Sequence, residues 1–151
     1  MKKLLIAGAA LALITGCTMK NPFLMESSAP FGAPEFDKIE NEHYLPAFEA
    51  GIAEAKAEID AITSNQEEPT FENTIEAMEF AGQTLNKVAG VFYNVMEAHT
   101  NDDMQAIAEE IAPKMTEYSM YVSLNAPLFE RVKAVYEKKD SLGLEKDHMT
   151  L

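Results

Sequence analysis

Apolar side chains recur along most of this chain at steps of three and four residues, and this spacing limits its fold more than any other feature. Between residues 42 and 63 the apolar positions are Leu45, Phe48, Ile52, Ala55, Ile59 and Ile62. Residues three and four apart lie on one face of an α-helix, whereas a half-buried strand alternates with a period of two. The spacing therefore predicts a helix over residues 42–63 with one buried face.

The same spacing predicts three further helices. In the second, over about residues 72–98, the apolar positions are Ile75, Met78, Gly82, Leu85, Val88, Phe92 and Val95. In the third, which starts after Asn101, they are Met104, Ile107, Ile111, Met115, Tyr118 and Val122, and in the fourth, capped by Asn125, they are Phe129, Val132 and Tyr136. No segment alternates long enough to indicate a strand. An all-α fold, an antiparallel array of about four helices, is predicted.

Glycine and proline mark three places where these helices should deviate. Gly82 and Gly90 lie inside the second helix, where each costs about 1 kcal/mol relative to alanine. We expect both to allow the close approach of another helix. Pro113 falls inside the third helix and predicts a kink or a one-turn break near residues 110–112. Gly143 is expected to end the fourth helix.

The first 17 residues have the layout of a bacterial export signal. Lys2 and Lys3 precede a short apolar run over residues 4–14, which is shorter than the roughly 20 residues that span a bilayer. The run leads into Ile14-Thr15-Gly16-Cys17, which is similar to a lipobox, and Cys17 is the chain's single cysteine. Residues 1–16 are therefore predicted to be a lipoprotein signal peptide, with Cys17 as the lipidated residue and the membrane as a partner. An ordinary cleaved signal with a free thiol is the alternative.

The same residues predict an address and a division of the chain. Thr18, rather than the Asp that marks inner-membrane retention in Gram-negative bacteria, favours the periplasmic side of the outer membrane. Residues 17–40, rich in Pro and Ser, are predicted to be a lipidated tether and an extended lead-in. Residues 41–151 are expected to form the helical domain, which we predict to be truncated at its C-terminal end.

Charge excludes one class of partner. The chain has 12 Lys and Arg against 25 Asp and Glu, a net charge of −13 at pH 7. Such a surface repels phosphate backbones, so no nucleic-acid partner is expected. The regular apolar spacing and an apolar content of 47% argue against disorder, so we expect the acidic groups to lie on solvated helix faces.

No catalytic, cofactor-binding or metal-binding residues are predicted on this chain. A zinc site of the His-Glu-x-x-His type needs two histidines four residues apart on one helix face. The histidines here are His43, His99 and His148, and none begins that motif. His43 and His99 are candidates for a structural or a substrate-channel role, and the structural role, a residue that fixes a helix terminus, is favoured for both.

Several separated motifs carry a resemblance to a known family. They are NPFL at 21–24, APEFDKI at 33–39, HYLPAF at 43–48, PTFENTIEAMEFAGQTLNKVAGVFYNVMEAHTND at 69–102, LN at 124–125 and LFERV at 128–132. In this order they resemble the start of the thimet oligopeptidase-like zinc metallopeptidases, and within them the peptidyl-dipeptidase (dipeptidyl carboxypeptidase) branch. The resemblance covers roughly residues 21–144.

The resemblance implies a role for this segment and places the chemistry elsewhere. Members of the family are two-lobed helical enzymes whose N-terminal helices wall a channel that admits short peptides, and the peptidyl-dipeptidase branch removes C-terminal dipeptides. The zinc belongs to a catalytic lobe that this chain lacks. Its implied partners are that missing lobe and, for the parent enzyme, short peptides.

Two functions of different classes are compatible with these residues. The first is the N-terminal, access-shaping part of an exported zinc peptidyl-dipeptidase. The second is a non-catalytic acidic helical lipoprotein that binds peptides or a protein partner.

Overall fold

The computed structural model describes residues 20–143, and within that range the chain is all-α, as predicted. Short 3₁₀ turns at Pro22–Leu24, Pro30–Gly32 and Phe36–Lys38 lead into the first helix. The helices are α1 (Asn41–Ser64), α2 (Ala77–Phe80), α3 (Gln83–His99), α4 (Asp102–Ser123) and α5 (Ala126–Tyr136); a π turn, Phe71–Glu76, precedes α2 and a 3₁₀ turn, Lys139–Ser141, follows α5. No strand occurs in this part of the chain.

The main core lies where α1 packs against α3 and α4. Phe48 and Phe92 are fully buried, and their rings meet edge to face with centroids 5.5 Å apart. Tyr44 also packs against Phe92, with centroids 4.9 Å apart. Met104 and Ile111 of α4 close the same cluster. The apolar stripes predicted for α1, α3 and α4 are thus the faces that build the core.

The lead-in segment is attached to this core by Phe23. Its ring is buried and lies 5.3 Å from the ring of Tyr44. Asn21 adds a polar contact, because its Nδ2 donates to the carbonyl oxygen of His43 over 2.8 Å. The NPFL motif therefore holds the start of the described chain against the first turn of α1.

The second predicted helix is divided at Ala81 and Gly82, so the prediction of one continuous helix is wrong. Ala81 is extended, and Gly82 has a left-handed backbone with φ of 76°. Glycine adopts this conformation at no steric cost. The amide of Gly82 also donates to Oε2 of Glu58 over 2.6 Å, which ties the break to α1.

The close approach of α1 and α3 occurs at Gly51, so the expectation for Gly90 is wrong. A Cβ atom on Gly82 would lie 3.5 Å from Cβ of Ala55 in α1, which is an ordinary contact distance. A Cβ atom on Gly51 would lie 2.9 Å from Cα of Leu85, a distance shorter than any normal contact. A Cβ atom on Gly90 would meet nothing within 4 Å. Gly51 therefore sets the spacing of α1 and α3.

Of the kink or one-turn break predicted near Pro113, the break is wrong, because α4 continues through this residue. Proline removes one helical hydrogen bond, here the one to the carbonyl of Glu109. Pro113 and Glu109 are both exposed, so water can take the place of the missing donor.

The apolar face predicted for α5 is on the wrong side of the helix. Leu128, Arg131 and Val135 are buried, whereas Phe129 and Tyr136 are each 63% exposed. Leu128 packs with Ile59 and Ile62 of α1 in a second, smaller cluster. Both faces of α5 carry apolar residues, so spacing alone could not select the buried one. The helix also ends at Tyr136, seven residues before Gly143, so the predicted end is wrong.

Candidate functional site

The two candidate histidines lie at one end of the helix array. Nδ2 of Asn41, the first residue of α1, donates to Oδ1 of Asn101 over 3.2 Å. The same Oδ1 accepts from the amide of Met104 over 2.9 Å and so caps α4. His43 and His99 are each two residues from one of these asparagines. The structure therefore brings both histidines to the end where α1 and α4 begin.

His43 is engaged in the first turn of α1. Its Nδ1 accepts a hydrogen bond from the amide of Glu40 over 2.9 Å, and its own amide donates to the carbonyl of Glu40 over 3.0 Å. These bonds satisfy backbone groups that a helix start leaves without an intrahelical partner. Since Nδ1 is the acceptor, Nε2 carries the proton in a neutral ring and is the one nitrogen left to donate.

His99 is the last residue of α3 and is exposed. Among residues 20–143 its ring has no hydrogen-bond partner. The turn that follows is fixed instead by Asn101, which contacts both Met104 and Asn41. Of the two histidines, His99 is the exposed one whose ring nitrogens have no hydrogen bond to a described residue.

An open groove of about 850 Å³ lies at this end of the molecule. Its lining residues come from the start of α1 and the first turns of α4, and they are Ile39, Glu40, Asn41, Glu42, Asn101, Asp103, Ala106 and Ile107. The groove combines two amides and three carboxylates with apolar side chains. It can offer hydrogen-bond acceptors to a polar ligand, and it contains no nucleophile paired with a base.

The described residues do not form a metal site. Within residues 20–143 no three His, Cys, Asp or Glu side chains are grouped so that they could hold an ion. The zinc of the resembled family does not fit this part of the chain.

Arg131 is the residue that the sequence analysis missed. It is buried on the inner face of α5, where its Nη1 donates to the carbonyls of Asn65 (2.9 Å) and Glu67 (3.2 Å), and its Nη2 donates to Oδ1 of Asn73 (2.9 Å). Its Nε is buried without a partner among the described residues. One signal was present: Arg131, the single arginine of the chain, is three residues from Leu128 and four from Val135.

Asn73 connects that arginine to the π turn. Its Oδ1 also accepts from the amide of Thr70 over 2.9 Å, and its amide donates to Oγ1 of Thr70 over 3.1 Å. These two bonds form a reciprocal cap at the start of the turn. Arg131 thereby joins α5 to the segment between α1 and α2, and the contact is structural.

Tyrosines around α1 have raised pKa values for physical reasons that do not indicate catalysis. Burial raises the pKa of Tyr44. Burial, and secondarily the charge of Glu58, raises the pKa of Tyr118. The hydrogen bond to Asp60 raises the pKa of Tyr121. All three hydroxyls therefore stay protonated at neutral pH and act as packing groups or hydrogen-bond donors.

Two predictions concern residues at the ends of the chain. Cys17, the signal peptide and the tail beyond Gly143, which includes His148, lie outside the described residues. None of the helices between residues 20 and 143 has the length and apolar character needed to cross a bilayer. Lipidation of Cys17 remains a prediction.

Comparison with known proteins gives the family. No protein-family model matches the chain. The chain is 43% identical over 134 residues to dipeptidyl carboxypeptidase of Escherichia coli (strain K12), which covers 89% of this chain and 20% of that protein. It is 40% identical over 131 residues to dipeptidyl carboxypeptidase of Salmonella typhimurium, and the match covers 87% of this chain and 19% of that protein. It is also 22% identical over 111 residues to oligopeptidase A of Salmonella typhimurium, and this match covers 74% of this chain and 16% of that protein.

These matches confirm the predicted resemblance. The all-α segment described here is homologous to part of proteins of the thimet oligopeptidase-like metallopeptidase family. Its homologues within that family are dipeptidyl carboxypeptidase and oligopeptidase A. The chain spans about a fifth of the length of the curated relatives it matches.

Proposed function

We propose that this chain is the N-terminal, substrate-access-shaping part of an exported zinc metallopeptidase that removes C-terminal dipeptides from short peptides. The observation that carries the proposal is the 43% identity to a dipeptidyl carboxypeptidase over 89% of the chain. Identity to oligopeptidase A is 22%, which favours the dipeptide-releasing branch over an endo-acting one.

In this proposal the chain supplies structure, and the remainder of a longer protein supplies catalysis. Residues 20–143 contain no suitable cluster of ligands, so the zinc of the full-length family would be bound outside this range. The described helices would form part of the wall around the substrate. Close packing at Gly51 and the buried aromatic cluster hold α1 and α3 in direct contact, which suits this role.

The end of the array that carries His99 is the part of the wall proposed to face peptides. His99 is exposed and the neighbouring groove is open, whereas His43 is engaged with Glu40. Replacing His99 with Ala in the complete enzyme should raise KM and leave kcat unchanged, as expected for loss of binding that is equal in the ground and transition states. His43→Ala should instead lower thermal stability. Unchanged KM in His99→Ala would remove this residue from the proposal.

Export and anchoring are a separate part of the proposal. The signal-like residues and Cys17 support attachment to the periplasmic side of the bacterial envelope, with the outer membrane favoured. Each buried acyl CH₂ stabilises membrane attachment by about 0.8 kcal/mol, so two or three chains suffice. Cells fed labelled palmitate should incorporate label into the protein and not into a Cys17→Ser variant. Equal labelling of both would contradict lipidation at Cys17.

A chimera tests the peptidase assignment. The segment of Escherichia coli dipeptidyl carboxypeptidase that matches this chain is replaced by the matching part of this chain. The chimera is incubated with an N-terminally blocked short peptide, and the products are identified by mass spectrometry. We expect release of the C-terminal dipeptide, with the relative lacking the segment as the inactive control. A folded chimera that releases nothing would favour the alternative, a non-catalytic acidic helical lipoprotein.

A further inference from the structure

The outer surface of α5 and the end of α4 is unusually apolar for a solvated surface. Met120 and Leu124 are 55% and 74% exposed, and Phe129 and Tyr136 are each 63% exposed. Met120 and Leu124 are four residues apart, as are neighbours on one helix face. Phe129 and Tyr136 are seven residues apart, close to two turns, and share the outer face of α5. We call the exposed side chains of Phe129 and Tyr136 the α5 outer surface.

The opposite face of α5 already has its partner. Leu128 packs against Ile59 and Ile62, and Arg131 is held by the segment after α1. A helix with one apolar face needs one partner, whereas a helix with apolar residues on both faces is typical of a buried position. The outer face of α5 also carries the exposed charged residues Glu130 and Lys133, but its two aromatic rings are apolar anchors that the described residues leave exposed.

We propose that the α5 outer surface docks against the part of a dipeptidyl-carboxypeptidase-type chain that lies outside this segment. This inference rests on the proposed function. The relatives are about five times longer than the matched segment, because the chain covers 20% of their length. They therefore have ample further chain to cover an apolar helix face. The occupant is an apolar protein surface, which buries the two aromatic rings.

A second copy of this chain is the less suitable occupant. The chain has a net charge of −13, and two copies brought together repel each other. In a two-fold interface the same patch faces itself, so Lys139, whose Nζ lies 3.9 Å from the centroid of the Tyr136 ring, would also meet its own copy. Both terms disfavour a symmetric dimer through this surface.

The test compares two pairs of substitutions at exposed aromatic residues. The test variant combines Phe129→Ser and Tyr136→Ser on the α5 outer surface. The control variant combines Phe31→Ser and Phe36→Ser, which alters two exposed aromatic residues of the lead-in segment. Each variant is made both in the full chain of 151 residues and in the chimera with the Escherichia coli relative.

In the isolated full chain we expect the test variant to keep its melting temperature and to bind less of an apolar-surface dye. In the chimera the same variant should lower the melting temperature by about 5 °C or more, because buried aromatic anchors dominate interfaces. The control variant should leave the chimera unchanged. A test variant of the chimera with the same melting temperature as the unmodified chimera would overturn the proposal.

Other outcomes are also informative. A full chain that sediments as a dimer, with the test variant as a monomer, would make a second copy the occupant and overturn the proposal. A chimera that fails to fold would count against the docking surface, because segments 43% identical should fit the same partner surface. An unmodified chimera that folds but releases no dipeptide would contradict the proposed function alone, since melting temperatures would still report on docking.

Discussion

The α1–α3 interface and α5 were predicted by the same apolar spacing, and the structure treats them differently. In α1 and α3 the predicted stripe is the buried face, with Phe48 and Phe92 fully enclosed. In α5 the predicted residues Phe129 and Tyr136 face outwards, and a face with a buried arginine packs inwards. Spacing identifies a helix reliably, but it selects the buried face only when a single face is apolar.

The largest expected effect contrasts two phenylalanines. Phe92→Ala should lower the free energy of unfolding of the full chain by about 3–5 kcal/mol, because it leaves a cavity among Tyr44, Phe48 and Val88. Phe129→Ala should change it by no more than about 0.5 kcal/mol, as for other surface substitutions. Urea unfolding followed by circular dichroism measures both. Equal losses of unfolding free energy in the two variants would contradict the description of Phe92 as a core residue and Phe129 as a surface residue.

Much of the fold could be predicted from the sequence because its signals are local. Asn101 and Asn125 each accept a hydrogen bond from an amide three residues on, as predicted for helix caps. The break at Gly82 was missed because a glycine inside an apolar periodicity is compatible with either a helix or a left-handed turn. The hydrogen bond from Gly82 to Glu58, which favours the turn, joins residues 24 apart and leaves no local trace.

The site was harder to predict than the fold. That His43 and His99 share one end depends on the contact between Asn41 and Asn101, which are 60 residues apart. Arg131 was missed because its partners are two backbone carbonyls and an amide oxygen, groups that no sequence motif marks. The homology was predictable because it rests on motifs spread in order along the chain.

Arg131 sharpens the comparison, since it is the polar counterpart in α5 of the aromatic cluster in α1 and α3. Arg131→Met should lower the free energy of unfolding by about 2–3 kcal/mol, because the carbonyls of Asn65 and Glu67 and the Asn73 side chain lose a charged donor. Arg131→Lys should restore only part of this, since lysine lacks the planar fork. Lys133→Met on the exposed face is the control. If Arg131→Met leaves the free energy of unfolding unchanged, the apolar contacts of Leu128 alone hold α5.

Two glycines test how tightly α1 and α3 pack. Gly51→Ala should lower the free energy of unfolding by about 1–3 kcal/mol, since the new Cβ meets the backbone of Leu85. Gly90→Ala places its Cβ in open space inside a helix and should raise it by about 0.5–1 kcal/mol. Thermal melts of the two variants in the same buffer are sufficient. A stabilising Gly51→Ala would contradict the close approach of the two helices.

The smallest expected effect concerns surface ion pairs that join elements. The Lys56 hydrogen bond lowers the pKa of Glu117, and the Lys138 hydrogen bond lowers the pKa of Glu68. A carboxyl group whose pKa is lowered in the folded state stabilises the fold at pH values above its ordinary pKa of 4.5. This stabilisation is lost as the pH falls through the lower pKa of the folded state. The Glu49 hydrogen bond raises the pKa of Lys114, so that contribution is lost as the pH rises beyond 10.5.

Melting temperature should therefore be flat near neutral pH and fall slightly below about pH 4.5. The decrease should be smaller in Glu117→Gln and should be weakened by high salt, because these pairs are exposed. If the melting temperature of Glu117→Gln falls in acid as much as that of the unmodified chain, the Lys56–Glu117 pair contributes nothing to the attachment of α4 to α1.

The central claim is that these helices are one segment of a longer zinc peptidase. The most direct measurement is the nucleotide sequence that follows the Leu151 codon in the source organism. The account predicts that the reading frame continues for several hundred codons and encodes a His-Glu-x-x-His motif. An in-frame stop immediately after Leu151, with no separate frame encoding that motif nearby, would contradict it and favour the helical lipoprotein.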